Sequence, residues 1–174
     1  TEFEFFAAKK LLTENEQFER YRRVLKEMKD KPVYFRMLDL GGDKGLDFLK
    51  FPEEQNPALG FRGSRFLLGH PELFQIQARA LARVSQLGRI HIMYPMVIDL
   101  AQFRLLRQKF VEATSDIPQG EIRQGLMFEV PSACLDADDI LKEADFGSLG
   151  TNDLIQYLYA VDRDNEWVSG DHHP

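Results

Sequence analysis

Residues 144–165 read ADFGSLGTNDLIQYLYAVDRDN, and this stretch decides the fold. Asp145 to Leu149 is a short apolar run bounded by turn residues, which predicts a buried strand. Gly150 permits a sharp turn where that strand ends. Thr151, Asn152 and Asp153 then precede a second apolar run, Leu154, Ile155, Tyr157 and Leu158, with helical spacing. A polar triplet between a strand end and a helix start is where α/β proteins place their chemistry. One of the three could equally cap the helix, and spacing alone leaves both readings open. Arg163, with Asp162 and Asp164, makes a charged cluster one helix downstream, placed to fold back over the same edge.

Working outward, the same alternation recurs. Gly125 to Val130, GLMFEV, predicts a strand that Glu129 interrupts near its end; Pro131 stops it and Ser132 is expected to cap a helix over 133–143. Ile90 to Ile98, IHIMYPMVI, predicts another, with Pro95 near its end. Asp99 and Gln102 have cap spacing for a helix over 99–112, striped by Leu100, Phe103, Leu106 and Phe110, and 114–123 predicts a loop. Val33 to Leu40, VYFRMLDL, predicts a third strand, interrupted by Arg36 and Asp39. Structural pairing of Arg36 with Asp39 is one reading of that interruption. Thr13 and Glu16 have capping-box spacing ahead of a helix over 13–29, and Pro71 opens a helix striped by Leu73, Ile76, Ala80 and Val84.

Between strand 33–40 and Pro71 lies Gly41-Gly42-Asp43-Lys44-Gly45, an amide-rich loop without the GxxxxGK[ST] spacing of a phosphate-binding P-loop. An irregular excursion over 46–60 follows, a length that in a domain usually signals function. It ends in NPALGFRG, with Arg62 and Arg65 expected to be exposed to whatever the loop covers.

Strand and helix thus alternate through four rounds, which predicts an α/β chain with a parallel sheet and right-handed crossovers. In these rounds the polar outliers fall at a strand's C-terminal end or just past it: Arg36 and Asp39, Glu129, Asn152 and Asp153. That is the pattern of a (β/α) barrel rim. A closed (β/α)8 barrel needs eight strands and typically about 250 residues; 174 residues predict an incomplete barrel of about four to five parallel strands. Such a sheet is expected to be open, with edges that favour self-association.

Composition narrows the function. Hydrophobic residues make up 44% and charged residues 29%, ordinary for a globular protein. A net charge of −6 argues against a nucleic-acid surface, and no apolar run is long enough to span a membrane. The N-terminal TEFEFFAAKK does not read as a secretory signal. The single cysteine, Cys134, excludes an internal disulfide, fits a reducing cytoplasm, and reads as an inert thiol.

Glu129 and Asp153 fall at the ends of consecutive strands, which in a parallel sheet are about 4.8 Å apart. Carboxylates so placed repel unless one is protonated or a cation sits between them, and a hard divalent ion such as Mg²⁺ suits them. Arg36, Arg62 and Arg163 converge on the same edge, and guanidinium forks are the preferred partners of phosphate and carboxylate. Together they suit a small, highly anionic substrate.

The segments FRMLDLGGDK, NPALGFRGSR, IMYPMV, GLMFEVPSA and DFGSLGTNDLIQYLYAVDRDN resemble the C-terminal phosphoenolpyruvate-binding domain of enzyme I of the bacterial phosphotransferase system, the phosphoenolpyruvate–protein phosphotransferase family. The resemblance covers the whole chain, with the five motifs in family order, and TEF resembles the end of the preceding barrel strand. Tyr94 stands where a phenylalanine is common. Pyruvate phosphate dikinase and phosphoenolpyruvate synthase carry a related domain, but the GGDK and AVDRDN forms are more like enzyme I, in its sugar or its nitrogen branch.

The resemblance implies that Arg36, Arg62 and Arg163 bind phosphate, that Asn152 contacts substrate, and that Glu129 and Asp153 are Mg²⁺ ligands. It implies phosphoryl transfer from phosphoenolpyruvate to a histidine on another domain, leaving pyruvate, with a phosphocarrier protein as the next partner and a cytoplasmic, homodimeric parent. Residues 1–174 would then be a partial barrel domain. The family's phosphohistidine domain and its later CGE motif lie outside these residues, so no catalytic cysteine or histidine is expected here; His172 and His173 lie in neither motif. A Mg²⁺-dependent pyruvate lyase, and a ligand-sensing fragment without turnover, are the alternatives; the phosphate-binding arginines count against the lyase.

Overall fold

The structure, a computed structural model, describes residues 10–41 and 53–172. The TEF segment, the loop from Gly42 to Gly45, the first part of the 46–60 excursion and His173 lie outside the described residues. Helix α1 spans Glu14–Met28. The predicted capping box closes it: the Glu16 N–H donates to Thr13 Oγ1 at 3.3 Å and the Thr13 N–H donates to Glu16 Oε2 at 2.9 Å. Strand β1 is Val33–Arg36, followed by helices α2, Gly63–Gly69, and α3, Pro71–Val84. Then come β2, Ile90–Tyr94; α4, Leu100–Thr114, capped by Asp99 as predicted; and β3, Ile122–Phe128. Short helices α5, Pro131–Leu135, and α6, Ala137–Ile140, lead to β4, Gly147–Leu149, and α7, Thr151–Tyr159.

Among the described residues the four strands are all parallel and lie in chain order, β1-β2-β3-β4, flanked by helices. This is the incomplete (β/α) barrel expected from the alternation. Period-2 burial orients it. Val33, Phe35, Ile90, Ile92, Tyr94, Leu126 and Phe128 are buried in the main core, and the Phe35 ring lies 4.8 Å from that of Tyr21 on α1. The opposite face carries Tyr34, His91 and Phe146, whose rings are in mutual contact, and nearer the strands' C-terminal ends Arg36 and Met127. Strands β1 and β4 are the edges among the described residues, and Tyr34 and Leu149 on them are 54% and 70% exposed.

Several boundaries differ from expectation, each for a physical reason. The strand predicted over 33–40 is shorter and ends at Arg36; Met37 N–H still donates to Met93 O at 2.9 Å, while on the side away from β2 Gln77 of α3 holds the chain, with Leu38 N–H donating to Gln77 Oε1 at 2.9 Å and Gln77 Nε2 donating to Arg36 O at 3.3 Å. The helix expected over 133–143 begins at Pro131 and breaks at Asp136, whose carboxylate instead accepts from Leu100 N–H at 3.1 Å. Ser132 is not its cap; its hydroxyl donates to Ile98 O at 2.8 Å, tying α5 to the loop after β2. Strand β3 starts at Ile122, inside the expected loop.

Candidate active site

At the C-terminal edge of the sheet the charged outliers meet. Asp39 is fully buried, with its Oδ2 3.2 Å from Arg62 Nη2 and 3.6 Å from Arg36 Nη1. Arg62 reaches onward, and its Nη1 donates to Asp153 Oδ1 at 3.0 Å. The same Asp153 oxygen lies 3.8 Å from Arg163 Nη1. Arg36, Arg62 and Arg163 are therefore strung along two carboxylates. Burial works against the Arg62 charge, but Asp39 and Asp153 outweigh it and hold the guanidinium above its usual range.

This corrects the expectation that Arg62 is exposed: it is 2% exposed, whereas Arg65 does face solvent. The capping reading of the Thr151-Asn152-Asp153 triplet is corrected too. The helix-capping position falls on Gly150, no side chain caps α7, and all three polar residues lie in its first turn.

Glu129 follows β3 directly and is 1% exposed. Its Oε1 accepts from Met96 N–H at 2.7 Å. Burial pushes its carboxyl up to about 7; Met96 N–H and Arg36 oppose the shift, and Asp39 and Asp153 add to it. Glu129, Asp153, Asn152, Arg36 and Arg163 line one open cavity of about 660 Å³. Gly150 lines it too, and a β-carbon there would lie 2.5 Å from Glu129 Oε2, so only glycine leaves room for that oxygen.

Two residues that sequence reasoning missed hold these groups in place. Gln156 is a buried polar residue in the stripe of α7. Its Oε1 accepts from Arg163 N–H at 3.2 Å and its carbonyl accepts from Val161 N–H at 3.0 Å, which folds the chain back after Ala160 turns with φ 54°. Tyr157 O–H donates to Ala58 O at 2.5 Å and pins the 56–63 loop to the same helix. A polar residue standing in an apolar stripe is a signal that the sequence did offer for Gln156.

Among the described residues no group of three or more His, Cys, Asp or Glu side chains converges to hold a metal. Glu129 and Asp153 provide two carboxylates on one cavity, which matches how Mg²⁺ is held when substrate oxygens and water complete its shell.

The family model for the PEP-binding domain of PEP-utilising enzymes matches residues 1–174. The chain belongs to that family. It is 46% identical over 175 residues to a phosphoenolpyruvate-protein phosphotransferase of Staphylococcus carnosus, covering 97% of the chain and 30% of the relative. It is 46% identical over 176 residues to the protein of that name in Bacillus subtilis, with 97% and 31% covered. For the one in Buchnera aphidicola the figures are 39% over 180 residues, with 100% and 32% covered. The chain thus spans about 30% of the length of the curated relatives it matches.

Proposed function

We propose that the chain is the phosphoenolpyruvate-binding part of a phosphoenolpyruvate–protein phosphotransferase. The observation that carries this reading is the line of three guanidinium groups threaded through Asp39 and Asp153 beside the Glu129 cavity. Phosphoenolpyruvate offers both anions such a line selects for, a phosphate and a carboxylate. Arg62 Nε is a buried donor with no hydrogen-bond partner among the described residues, which leaves part of the guanidinium's positive potential uncompensated behind the cavity, where it favours an anion. The names of the relatives point the same way.

In this reading Arg36 and Arg163, partly exposed on the cavity, bind and orient the phosphoryl group, and the buried Arg62 sets the potential behind them. Asn152 offers an amide to the substrate. Glu129 and Asp153 would hold Mg²⁺, whose role when bound is to stabilise the enolate left as the phosphoryl group departs. A histidine nitrogen on another domain forms a bond to phosphorus as the bond between phosphorus and the bridging oxygen breaks, the electron pair staying on that oxygen as an enolate; protonation of the enolate carbon gives pyruvate. Onward transfer to a phosphocarrier protein, a homodimeric parent and a cytoplasmic setting belong to the same proposal.

The test is calorimetric titration of the chain with phosphoenolpyruvate, with and without Mg²⁺, followed by assay of pyruvate after addition of a histidine-bearing partner domain. Metal-dependent binding with partner-dependent pyruvate release is expected. No binding under either condition would overturn the reading, and pyruvate release without any partner would turn it toward a lyase.

A further inference from the structure

The segment IMYPMV lies beside the site, yet no part of the proposed chemistry uses it. Its Met96 has φ 53°, the left-handed region that residues with a β-carbon rarely adopt. Backbone strain of this kind persists only where the surroundings over-determine it. Here the surroundings are two consecutive residues at the start of α2. Ser64 is fully buried, and its hydroxyl donates to Pro95 O, the carbonyl of the peptide that ends in Met96 N, at 2.5 Å. Gly63 packs so closely that a β-carbon on it would lie 2.6 Å from Met96 Cβ. On its other side, the Pro95–Met96 peptide gives its N–H to Glu129 Oε1 at 2.7 Å. One peptide plane is thus gripped at its oxygen by Ser64 and directed at its nitrogen onto Glu129.

We propose that Ser64 is a positioning residue for Glu129: by fixing the Pro95–Met96 peptide it pins Glu129 Oε1 and leaves Oε2, against Gly150, directed to the cavity. The proposal rests on the reading of Glu129 as a metal-holding carboxylate. It also gives the RGS of NPALGFRGSR a joint purpose. Arg62 secures Asp39 and Asp153, and two residues later Ser64 secures the peptide that holds Glu129. The two halves of the site are then placed by a single turn of chain. Rotation of the peptide out of the left-handed region would swing its N–H off Glu129.

The experiment uses the full chain with Mn²⁺ as the probe, detected by electron paramagnetic resonance, and inorganic phosphate as a separate probe of the arginines. Loss of one buried hydrogen bond in Ser64→Ala is expected to weaken Mn²⁺ binding about five- to tenfold, with phosphate binding within about twofold of the parent. The Met96 amide proton, shifted downfield by its carboxylate acceptor, is expected to move upfield in the same variant. Ser64→Cys, near-isosteric with a weaker donor, is expected to fall between and covers the case in which the alanine variant does not fold. An unchanged Mn²⁺ affinity and an unchanged Met96 amide in Ser64→Ala overturn the proposal, as does equal loss of Mn²⁺ and phosphate binding with a lowered melting point, which marks a merely structural hydroxyl. Glu129→Gln separates the two ideas. If it binds Mn²⁺ as the parent does, the metal reading fails, and the Met96 amide still decides whether Ser64 positions Glu129.

Discussion

Arg62 and Asp153, 91 positions apart in the chain, form a buried ion pair at 3.0 Å. Each is almost without solvent, so neither can lose its partner cheaply; breaking a buried pair from one side costs about 3–5 kcal/mol. The same guanidinium spans to Asp39, and only a planar fork reaches both carboxylates at once. Arg62→Lys keeps the charge and loses the span. It is expected to lower stability by about 3 kcal/mol and to weaken binding of a phosphoenolpyruvate analogue at least tenfold. A lysine variant that melts and binds like the parent would show that the fork is not required.

Glu129 ties stability to pH in the metal-free chain. Its folded pKa is raised from 4.5 to about 7, so between those values the folded state holds more protons than the unfolded one. The sign follows: the stabilising contribution is present below about pH 4.5 and lost as pH rises through about 7. Glu129→Gln removes the carboxylate and should flatten that fall, leaving the variant more stable than the parent above pH 7. It should also abolish Mg²⁺-dependent binding, as Asp153→Asn should weaken it. Urea unfolding at pH 5 and pH 8, with calorimetry alongside, reads both; a Glu129→Gln variant less stable than the parent at pH 8 would contradict the sign.

Gly150→Ala isolates geometry from charge. Its φ of −95° is open to any residue, so backbone strain is not the obstacle. The obstacle is the added methyl, 2.5 Å from Glu129 Oε2 and 2.7 Å from Glu129 Cβ. Overpacking of this kind costs about 1–3 kcal/mol, and the displaced carboxylate should lose metal-dependent ligand binding while phosphate binding alone persists. Parallel titrations with and without Mg²⁺ check it; equal loss of both would refute it.

Gln77→Leu tests the strand end. It leaves Leu38 N–H without its acceptor and the Arg36 carbonyl without its donor. A buried orphan of this sort costs about 1–3 kcal/mol, and the freed segment carries Arg36 and Asp39. Lower melting temperature, faster Leu38 amide exchange and weaker analogue binding are expected together. Faster exchange with unaltered binding would place Gln77 in the fold alone.

What the sequence disclosed follows the range of each interaction. The capping box of Thr13 and Glu16 and the cap of Asp99 act within one turn of helix, and both were legible. So was the parallel alternation, because period-2 and period-3.6 burial is written along the chain. Helix α2 was missed because Gly63–Gly69 is too short to show periodicity. Arg62 was misjudged as exposed because the carboxylates that bury it come from 23 and 91 residues away. Arg36, Asp39, Glu129, Asn152 and Asp153 were singled out from their places at strand ends, and Gln156 left a signal as a polar residue in an apolar stripe, whereas Gln77 and Ser64 act through backbone atoms of distant segments and left no local pattern.

The sheet's strand order also sets an order of assembly in time. With β1-β2-β3-β4 running in chain sequence, each strand emerging from the ribosome can dock on one already in place. Asp39 and Arg62 emerge before Asp153, which follows Arg62 by 91 residues, about 5–20 s of synthesis. Until then Arg62 has a single carboxylate for two arms of its fork, and a half-made sheet with that charge buried is poorly favoured. Docking of α7 therefore supplies the second carboxylate to Arg62 and steadies β4 against β3 in the same event.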